Sequence, residues 1–86
     1  MESHEVIFYP LMTESASLMV EKDNKLIFIV SLKAGKSDVK KAVEELYQVK
    51  VARITMLITP QAQKKAFVKL TPEFKASDVA IKLGIL

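Results

Sequence analysis

The 86-residue sequence contains no cysteine, one histidine and only two glycines. Without cysteine the chain can form neither disulfide bonds nor thiolate metal sites, which fits a reducing compartment such as the cytoplasm. His4 has no second histidine or cysteine with which to complete a metal site. Two glycines are too few for a glycine-rich phosphate-binding loop. The sequence therefore predicts neither a metal nor a cofactor.

Long hydrophobic runs and a basic N-terminus are also missing. The longest apolar run, residues 26–30, is much shorter than the roughly 20 residues that span a membrane. The first basic residue is Lys22, whereas a secretory signal begins with basic residues before its apolar segment. We therefore expect one small cytoplasmic domain over residues 1–86, with a thin core because the chain is short.

The sequence contains no recognisable catalytic set. The serines have no plausible histidine partner that could activate them as nucleophiles. Glu44 and Glu45 are adjacent on a predicted helix, so they point roughly 100° apart and cannot share a substrate as an acid/base pair. The only arginine, Arg53, lies in the middle of a predicted strand without a neighbouring loop of amide donors for a phosphate. The sequence thus predicts a protein that is not an enzyme.

Basic and acidic residues are segregated along the chain. Residues 1–21 carry four glutamates and no base, for a formal charge of −4, whereas residues 22–72 carry +7 and residues 73–86 are neutral. Between Leu46 and Thr71 there are five basic residues and no acid. This pattern indicates two faces that meet different partners, the basic one a polyanion, with a merely solvated lysine-rich surface as the alternative.

Two helices and a buried strand are predicted in the first half of the chain. The first helix follows Thr13, a suitable N-cap, and a short strand at residues 6–9 is a candidate element before it. Residues 25–32 form the buried strand. The second helix follows Gly35, with Ser37 as its cap. The apolar faces of the two helices are Ala16, Met19 and Val20 in the first, and Val39, Ala42, Val43, Leu46 and Tyr47 in the second.

The second half predicts an antiparallel hairpin and a final helix. Residues 51–58 and 64–70 alternate as strands and are joined by residues 59–63. The last helix starts near Ser77 and stops at Gly84, a suitable C′ residue. In the first strand, Ala52, Ile54, Met56 and Ile58 share one face, and Val51, Arg53, Thr55 and Leu57 share the other. In the second strand, Ala66, Val68 and Leu70 are predicted to face inward, and Lys65, Phe67 and Lys69 lie on the second face.

This order of elements predicts the α+β class. Three long strands, with the segment at residues 6–9 as a candidate fourth, form a small antiparallel sheet of three to four strands packed with helices. The arrangement is of the ferredoxin-like or split βαβ type. The apolar stripe of residues 39–47 is expected to cover one side of the sheet.

The basic residues cluster before and along the second helix and at the tip of the hairpin. Lysine is a point charge suited to phosphate groups, so twelve lysines against one arginine favour binding to the backbone and shape of RNA. Thr59 and the glutamines of the tip add neutral groups that could reach sugars or phosphates. The predicted RNA-binding residues are Lys33, Lys36, Lys40, Lys41, Gln61, Gln63, Lys64, Lys65 and Lys69.

Two other interpretations are open at this point. One is a free-standing RNA-recognition motif, because residues 64–70 partly match its aromatic strand signature, with Phe67 and Val68 in register. That fold needs a fourth long strand after its second helix and several outward aromatic residues, of which the strands offer only Phe67 and Phe28. The other is an α+β domain that binds small molecules or proteins and no nucleic acid.

Five segments in order resemble the family of large-subunit ribosomal protein twenty-three, in its shorter archaeal form. They are PLMTES, NKLIFIV, AGKSDVKKAVEELYQVKV, KKAFVKL and VAIKLGIL, at residues 10–15, 24–30, 34–51, 64–70 and 79–86. The resemblance implies a structural protein that binds large-subunit ribosomal RNA beside the exit of the nascent-peptide tunnel, among neighbouring ribosomal proteins. It also implies docking of the signal recognition particle and other nascent-chain factors. The family's docking motif maps onto Pro10, Thr13 and Glu14.

The sequence departs from the family in two places. Ser15 stands where the family has a lysine after the docking glutamate, which removes one expected positive contact. Bacterial relatives extend the hairpin into a long basic loop that reaches the tunnel, whereas the connection here is only residues 59–63. The resemblance therefore implies a hairpin tip that sits on RNA near the rim of the tunnel and does not line it.

Overall fold

The computed structural model describes residues 2–11 and 13–83. Across these residues the strands form one antiparallel sheet in the order β1–β2–β4–β3. The α+β class predicted from the sequence is confirmed. The elements are α1 (Ser3–Val6), β1 (Ile7–Pro10), α2 (Glu14–Asp23), β2 (Lys25–Val30), α3 (Lys36–Tyr47), β3 (Val51–Ile58), β4 (Lys64–Leu70) and α4 (Ala76–Leu83).

The central motif is a split βαβ unit. β2 and β3 both run antiparallel to β4, so they point in the same direction with β4 between them. α3 connects them across one side of the sheet. This is the split βαβ type of arrangement that the sequence predicted, with the short β1 added at the far edge beside β2.

The helix caps match the sequence prediction in one case and differ in another. The Oγ1 atom of Thr13 accepts a hydrogen bond from the Ala16 amide (3.1 Å), as expected of an N-cap. The prediction that Ser37 caps α3 is wrong, because the helix begins two residues earlier than that cap requires, with Gly35 as its N-cap. The carboxylate of Asp38 reaches back to accept from the Gly35 amide (3.0 Å), which is the acidic half of a capping box. The predicted stop at Gly84 lies outside the described residues.

The core lies between the sheet and α3, and every helix and strand contributes to it. The alternating residues of β4, Ala66, Val68 and Leu70, are buried as predicted. The rings of Phe28 in β2 and Tyr47 in α3 stack with their centroids 5.7 Å apart, and this burial raises the pKa of the Tyr47 phenol. The stripe predicted on α3 therefore packs against the sheet, although its member Leu46 is exposed.

The alternation predicted for β3 is wrong at its first residues. The register against β4 shifts between Val51 and Arg53, which is the pattern of a β-bulge. Val51 pairs with Leu70 and is buried, whereas Ala52 is exposed although it was predicted to share a face with the buried Ile54. At the end of the strand Ile58 is exposed.

Asn24 joins three elements where α2 ends. Its backbone is left-handed (φ 56°), a conformation that asparagine tolerates better than most residues. Its side-chain amide donates to the Phe74 carbonyl (2.9 Å), and its Oδ1 accepts from the Ala76 amide (2.6 Å) at the start of α4. Its own carbonyl accepts from the Leu70 amide (3.1 Å) at the end of β4. Asn24 thus caps α4 from a distant part of the chain.

We predict that Asn24→Ala lowers the free energy of unfolding by about 2–3 kcal/mol, the sum of a lost cap, a lost donor and a left-handed alanine. Asn24→Gly loses the same side-chain bonds but fits the backbone, so it should cost about 1 kcal/mol less. Urea unfolding monitored by circular dichroism measures the free-energy change in both variants. A change below about 0.5 kcal/mol in the alanine variant would contradict this role for Asn24.

The hairpin connection is tight despite the absence of glycine. The Ala62 amide donates to the Thr59 carbonyl (2.9 Å), and the Thr59 amide donates to the Gln63 carbonyl (2.8 Å). Ala62 is left-handed (φ 59°). A β-turn followed by a left-handed residue is the usual three-residue hairpin loop, in which glycine is preferred at this last position.

We predict that Ala62→Gly stabilises the protein by about 0.5–1 kcal/mol in the same unfolding experiment. Left-handed backbone costs a non-glycine residue roughly 1–2 kcal/mol, and the greater freedom of glycine in the unfolded chain offsets about 0.4–1 kcal/mol of the gain. Ala52→Gly is the matched control, because Ala52 is exposed in a strand and its φ is not positive. The account of the turn fails if both variants are destabilised alike.

Candidate RNA-binding surfaces

The two lysines at the start of β4 point to opposite faces of the sheet. Lys64 pairs with Val30 and Ile58 on the side of the core, and Lys65 pairs with Ile29 and Leu57 on the other side. Successive strand residues alternate between faces, so the pair cannot act as one unit. The basic tip predicted from the sequence is therefore divided between two surfaces.

Lys64 is engaged by the protein's own backbone. Its Nζ donates to the Ala34 carbonyl (2.7 Å) and lies 3.4 Å from the Leu32 carbonyl. Both carbonyls belong to the loop between β2 and α3, and the side chain is half-buried. Lys64 thus holds in position the loop that carries Lys33.

The other lysines near this loop form a helix-side surface, which we define as Lys33, Lys36, Lys40 and Lys41. All four are exposed. Lys36 and Lys40 are one helical turn apart in α3 and therefore lie on the same face of the helix. The predicted cluster at the start of α3 is present as a continuous basic stretch.

A second basic area lies on the face of the sheet that points away from the main core. We call it the sheet-side surface, and it consists of three cross-strand pairs of β3 and β4: Arg53 with Lys69, Thr55 with Phe67, and Leu57 with Lys65. The three β3 residues and Lys69 are exposed, and Phe67 and Lys65 are partly exposed. Lys25 of β2 pairs with Lys69 and extends the positive charge by one strand. None of these seven residues is acidic.

The sheet-side surface is confined to the half of the sheet formed by β3 and β4. On the same face of β2, Ile27 and Ile29 are buried, with exposed fractions of 7% and 2%. An external ligand can therefore reach this face beside β3 and β4 but not beside β2.

Arg53 was not among the residues predicted to bind RNA. The register of β3 against β4 places it beside Lys69. The signal available in the sequence was that Arg53, Lys65 and Lys69 are all at odd positions of one predicted hairpin. Once Leu57 is paired with Lys65, a regular antiparallel register pairs Thr55 with Phe67 and Arg53 with Lys69.

The polar residues of the hairpin tip differ in their partners. Gln63 donates from Nε2 to the Tyr9 hydroxyl (3.0 Å), and its amide donates to Thr59 Oγ1 (3.2 Å). Gln61 is exposed at the tip. Of the two glutamines predicted to contact RNA, Gln63 thus ties the hairpin to β1, while Gln61 faces solvent.

The residues predicted to dock factors lie together between β1 and α2. Pro10 is the last residue of β1, and Thr13 caps α2 through its hydroxyl. Glu14 is exposed in the first turn, where a negative charge interacts favourably with the helix dipole. β1 and β3 are the two edges of the sheet, so this acidic junction lies at the edge opposite β3.

The geometry does not fit the stacking platform of an RNA-recognition motif. Phe28, one of its two expected outward aromatic residues, is fully buried against Tyr47. Of the two aromatic residues expected in that platform, only Phe67 lies on the outward face of the sheet. The fourth strand of the sheet is the short β1, which precedes the long helices instead of following them.

Within residues 2–11 and 13–83, no three histidine, cysteine or acidic side chains come close enough together to hold a metal ion. In the same part of the chain, no helix has the length and apolar composition needed to cross a membrane.

Comparison with protein families accounts for almost the whole chain. A sequence model described as Ribosomal protein L23 matches residues 5–84. The match includes β1, the hairpin and α4, and so covers both basic surfaces and the acidic junction. The resemblance to this family that the five sequence segments indicated is thereby confirmed, while its archaeal form stays a prediction. The chain belongs to the ribosomal protein L23 family and is a protein of the large ribosomal subunit.

Proposed function

We propose that this protein binds large-subunit ribosomal RNA through the helix-side and sheet-side surfaces and forms part of the rim of the nascent-peptide exit tunnel. The observation that carries the RNA contact is the sheet-side surface. Arg53, Lys65 and Lys69 lie on one exposed face of a rigid hairpin, with no acid among their strand neighbours. Such a surface attracts a polyanion without competition from internal ion pairs.

The composition of the sheet-side surface favours contacts with backbone and shape over reading of base sequence. Lysines act as point charges towards phosphates, and only Arg53 offers the planar fork that binds a phosphate with two hydrogen bonds. Phe67 and Leu57 add apolar area that can pack on sugars or on an unstacked base. The strands hold all of these side chains, so the surface is preorganised for a folded RNA.

The family assignment agrees with this proposal. Proteins of the large subunit have ribosomal RNA and other ribosomal proteins as partners, and the family is structural rather than catalytic. Tunnel-rim placement and docking of the signal recognition particle or other nascent-chain factors are further parts of the proposal. They are supported by the acidic junction at the sheet edge opposite β3, where Glu14 is exposed and available to a partner.

We predict that Lys65→Gln with Lys69→Gln weakens binding to a large-subunit ribosomal RNA fragment by about tenfold or more per lysine, because each loses a charged contact to phosphate. The slope of log affinity against log salt should fall by about 2. The pair Lys22→Gln with Lys82→Gln removes the same charge from exposed positions of α2 and α4 and serves as the control.

Filter binding or fluorescence anisotropy at several salt concentrations gives both quantities for both pairs. Equal losses in the two pairs would mean that only the total charge matters, and the sheet-side surface would then not be the RNA site. Lys64 is left unchanged in this test because its contacts with the loop carbonyls would confuse loss of binding with loss of structure.

We predict that Glu14→Lys reduces the binding of the signal recognition particle to ribosomes that carry the variant, while the protein still assembles into the large subunit. Glu21→Lys changes the same charge at another exposed position of α2 and should have little effect. Co-sedimentation of the factor with purified ribosomes measures the difference. Unchanged factor binding in Glu14→Lys would leave Glu14 with only its interaction with the helix dipole, worth about 0.3–1 kcal/mol.

A further inference from the structure

A small notch lies between the first turns of α3 and the start of β3. Its volume is about 160 Å³, and it is lined by Lys36, Ser37 and Lys40 of the helix and by residues 51–54 of the strand. It therefore touches the helix-side surface through Lys36 and Lys40 and the sheet-side surface through Arg53. It is the place where these two surfaces meet, at the β3 edge of the sheet.

The β-bulge in β3 creates this notch. Because the register shifts between Val51 and Arg53, both Val51 and Ile54 are buried and form its floor. Ala52 is the extra residue of the bulge and is exposed. At this point only the methyl side chain of Ala52 lines the notch. Bulges commonly re-aim a neighbouring side chain at a functional site. Here the bulge lies directly before Arg53, which pairs with Lys69 in the regular part of the strand.

The side chains that line the notch include three cations and no acid. Lys36, Lys40 and Arg53 are all exposed. Two acids of α3 are turned to backbone amides: the carboxylate of Glu44 accepts from the Val51 amide (3.0 Å), and that of Asp38 accepts from the Gly35 amide (3.0 Å). The concave site is therefore lined by positive side chains alone among its charged residues.

β3 is also an edge strand. In the described part of the chain it pairs with β4 alone, so its outer side offers backbone amide donors beside the notch. Backbone N–H groups contribute to contacts with phosphate oxygens in nucleic-acid complexes. A bare edge of this length is also prone to pair with other chains unless something covers it.

We infer that the notch holds a phosphate group of the RNA backbone, with an RNA strand that crosses the β3 edge from the helix-side to the sheet-side surface. This inference rests on the proposed function and specifies how RNA is held. It explains why the two basic surfaces, which lie on different sides of the sheet, meet at a concave site. It also gives Arg53, Ser37 and the bulge at Ala52 a common role.

Ala52→Leu tests the inference, because leucine fills the notch without changing charge and is tolerated in a strand. We expect at least a tenfold loss of affinity for a large-subunit ribosomal RNA fragment, with an unchanged urea midpoint. Ser15→Leu adds the same side chain to an exposed position of α2 and should bind like the wild type. If Ala52→Leu does not fold, a variant that changes only exposed charged side chains tests the inference instead. Lys40→Gln with Arg53→Gln should then lower the salt slope by about 2.

A double-mutant cycle makes the test local. If the notch holds the phosphate, Lys40→Gln should weaken binding about tenfold in the wild type and much less in Ala52→Leu, where the site is already blocked. The inference is overturned if the wild type prefers ribosomal RNA and Ala52→Leu retains that preference in full, an outcome that leaves the proposed function intact. A wild type with no preference for ribosomal RNA over unrelated RNA would instead overturn the proposed function, and the inference with it.

Discussion

β4 lies between β2 and β3, and its pairing with both strands determines the core and the charged surface at once. Ala66 and Val68 face Phe28, Leu26 and the inward residues of β3, while Lys65 and Lys69 face the other side. A slip of one residue in either pairing would turn these lysines into the core and expose the alanine and valine. Burial of the apolar face therefore fixes the positions of the cations, and the basic surface follows from the packing.

The same sheet separates the two kinds of charge in the chain. β1 and β3 are its opposite edges, and the acidic N-terminal segment continues from β1 into α2. The basic hairpin and the notch lie at the β3 edge. A protein with this arrangement can hold RNA at one edge and leave the other for a protein partner. Asn24 keeps the ends of α2 and β4 and the start of α4 together.

The sequence predicted those features that depend on neighbouring residues in the chain. The Thr13 cap, the apolar stripe of α3 and the alternation of β4 are local patterns, and they are confirmed. The bulge at Ala52 could not be predicted, because it depends on how β3 pairs with Leu70 and Lys69 across the hairpin. The same holds for the hydrogen bond of Lys64 to the Ala34 carbonyl, because Ala34 lies thirty positions away in the chain. Asn24 looked like an ordinary turn residue, since its partners Phe74 and Ala76 lie about fifty positions away.

The central claim is that the folded arrangement of cations recognises ribosomal RNA as a defined site. The most direct measurement is the affinity of the wild-type protein for a large-subunit ribosomal RNA fragment and for an unrelated structured RNA of equal length, over a series of salt concentrations. The account predicts a preference of about 10³ or more for the ribosomal fragment that persists at physiological salt. Equal and steeply salt-dependent binding to both RNAs would show a diffuse polycation and would contradict it.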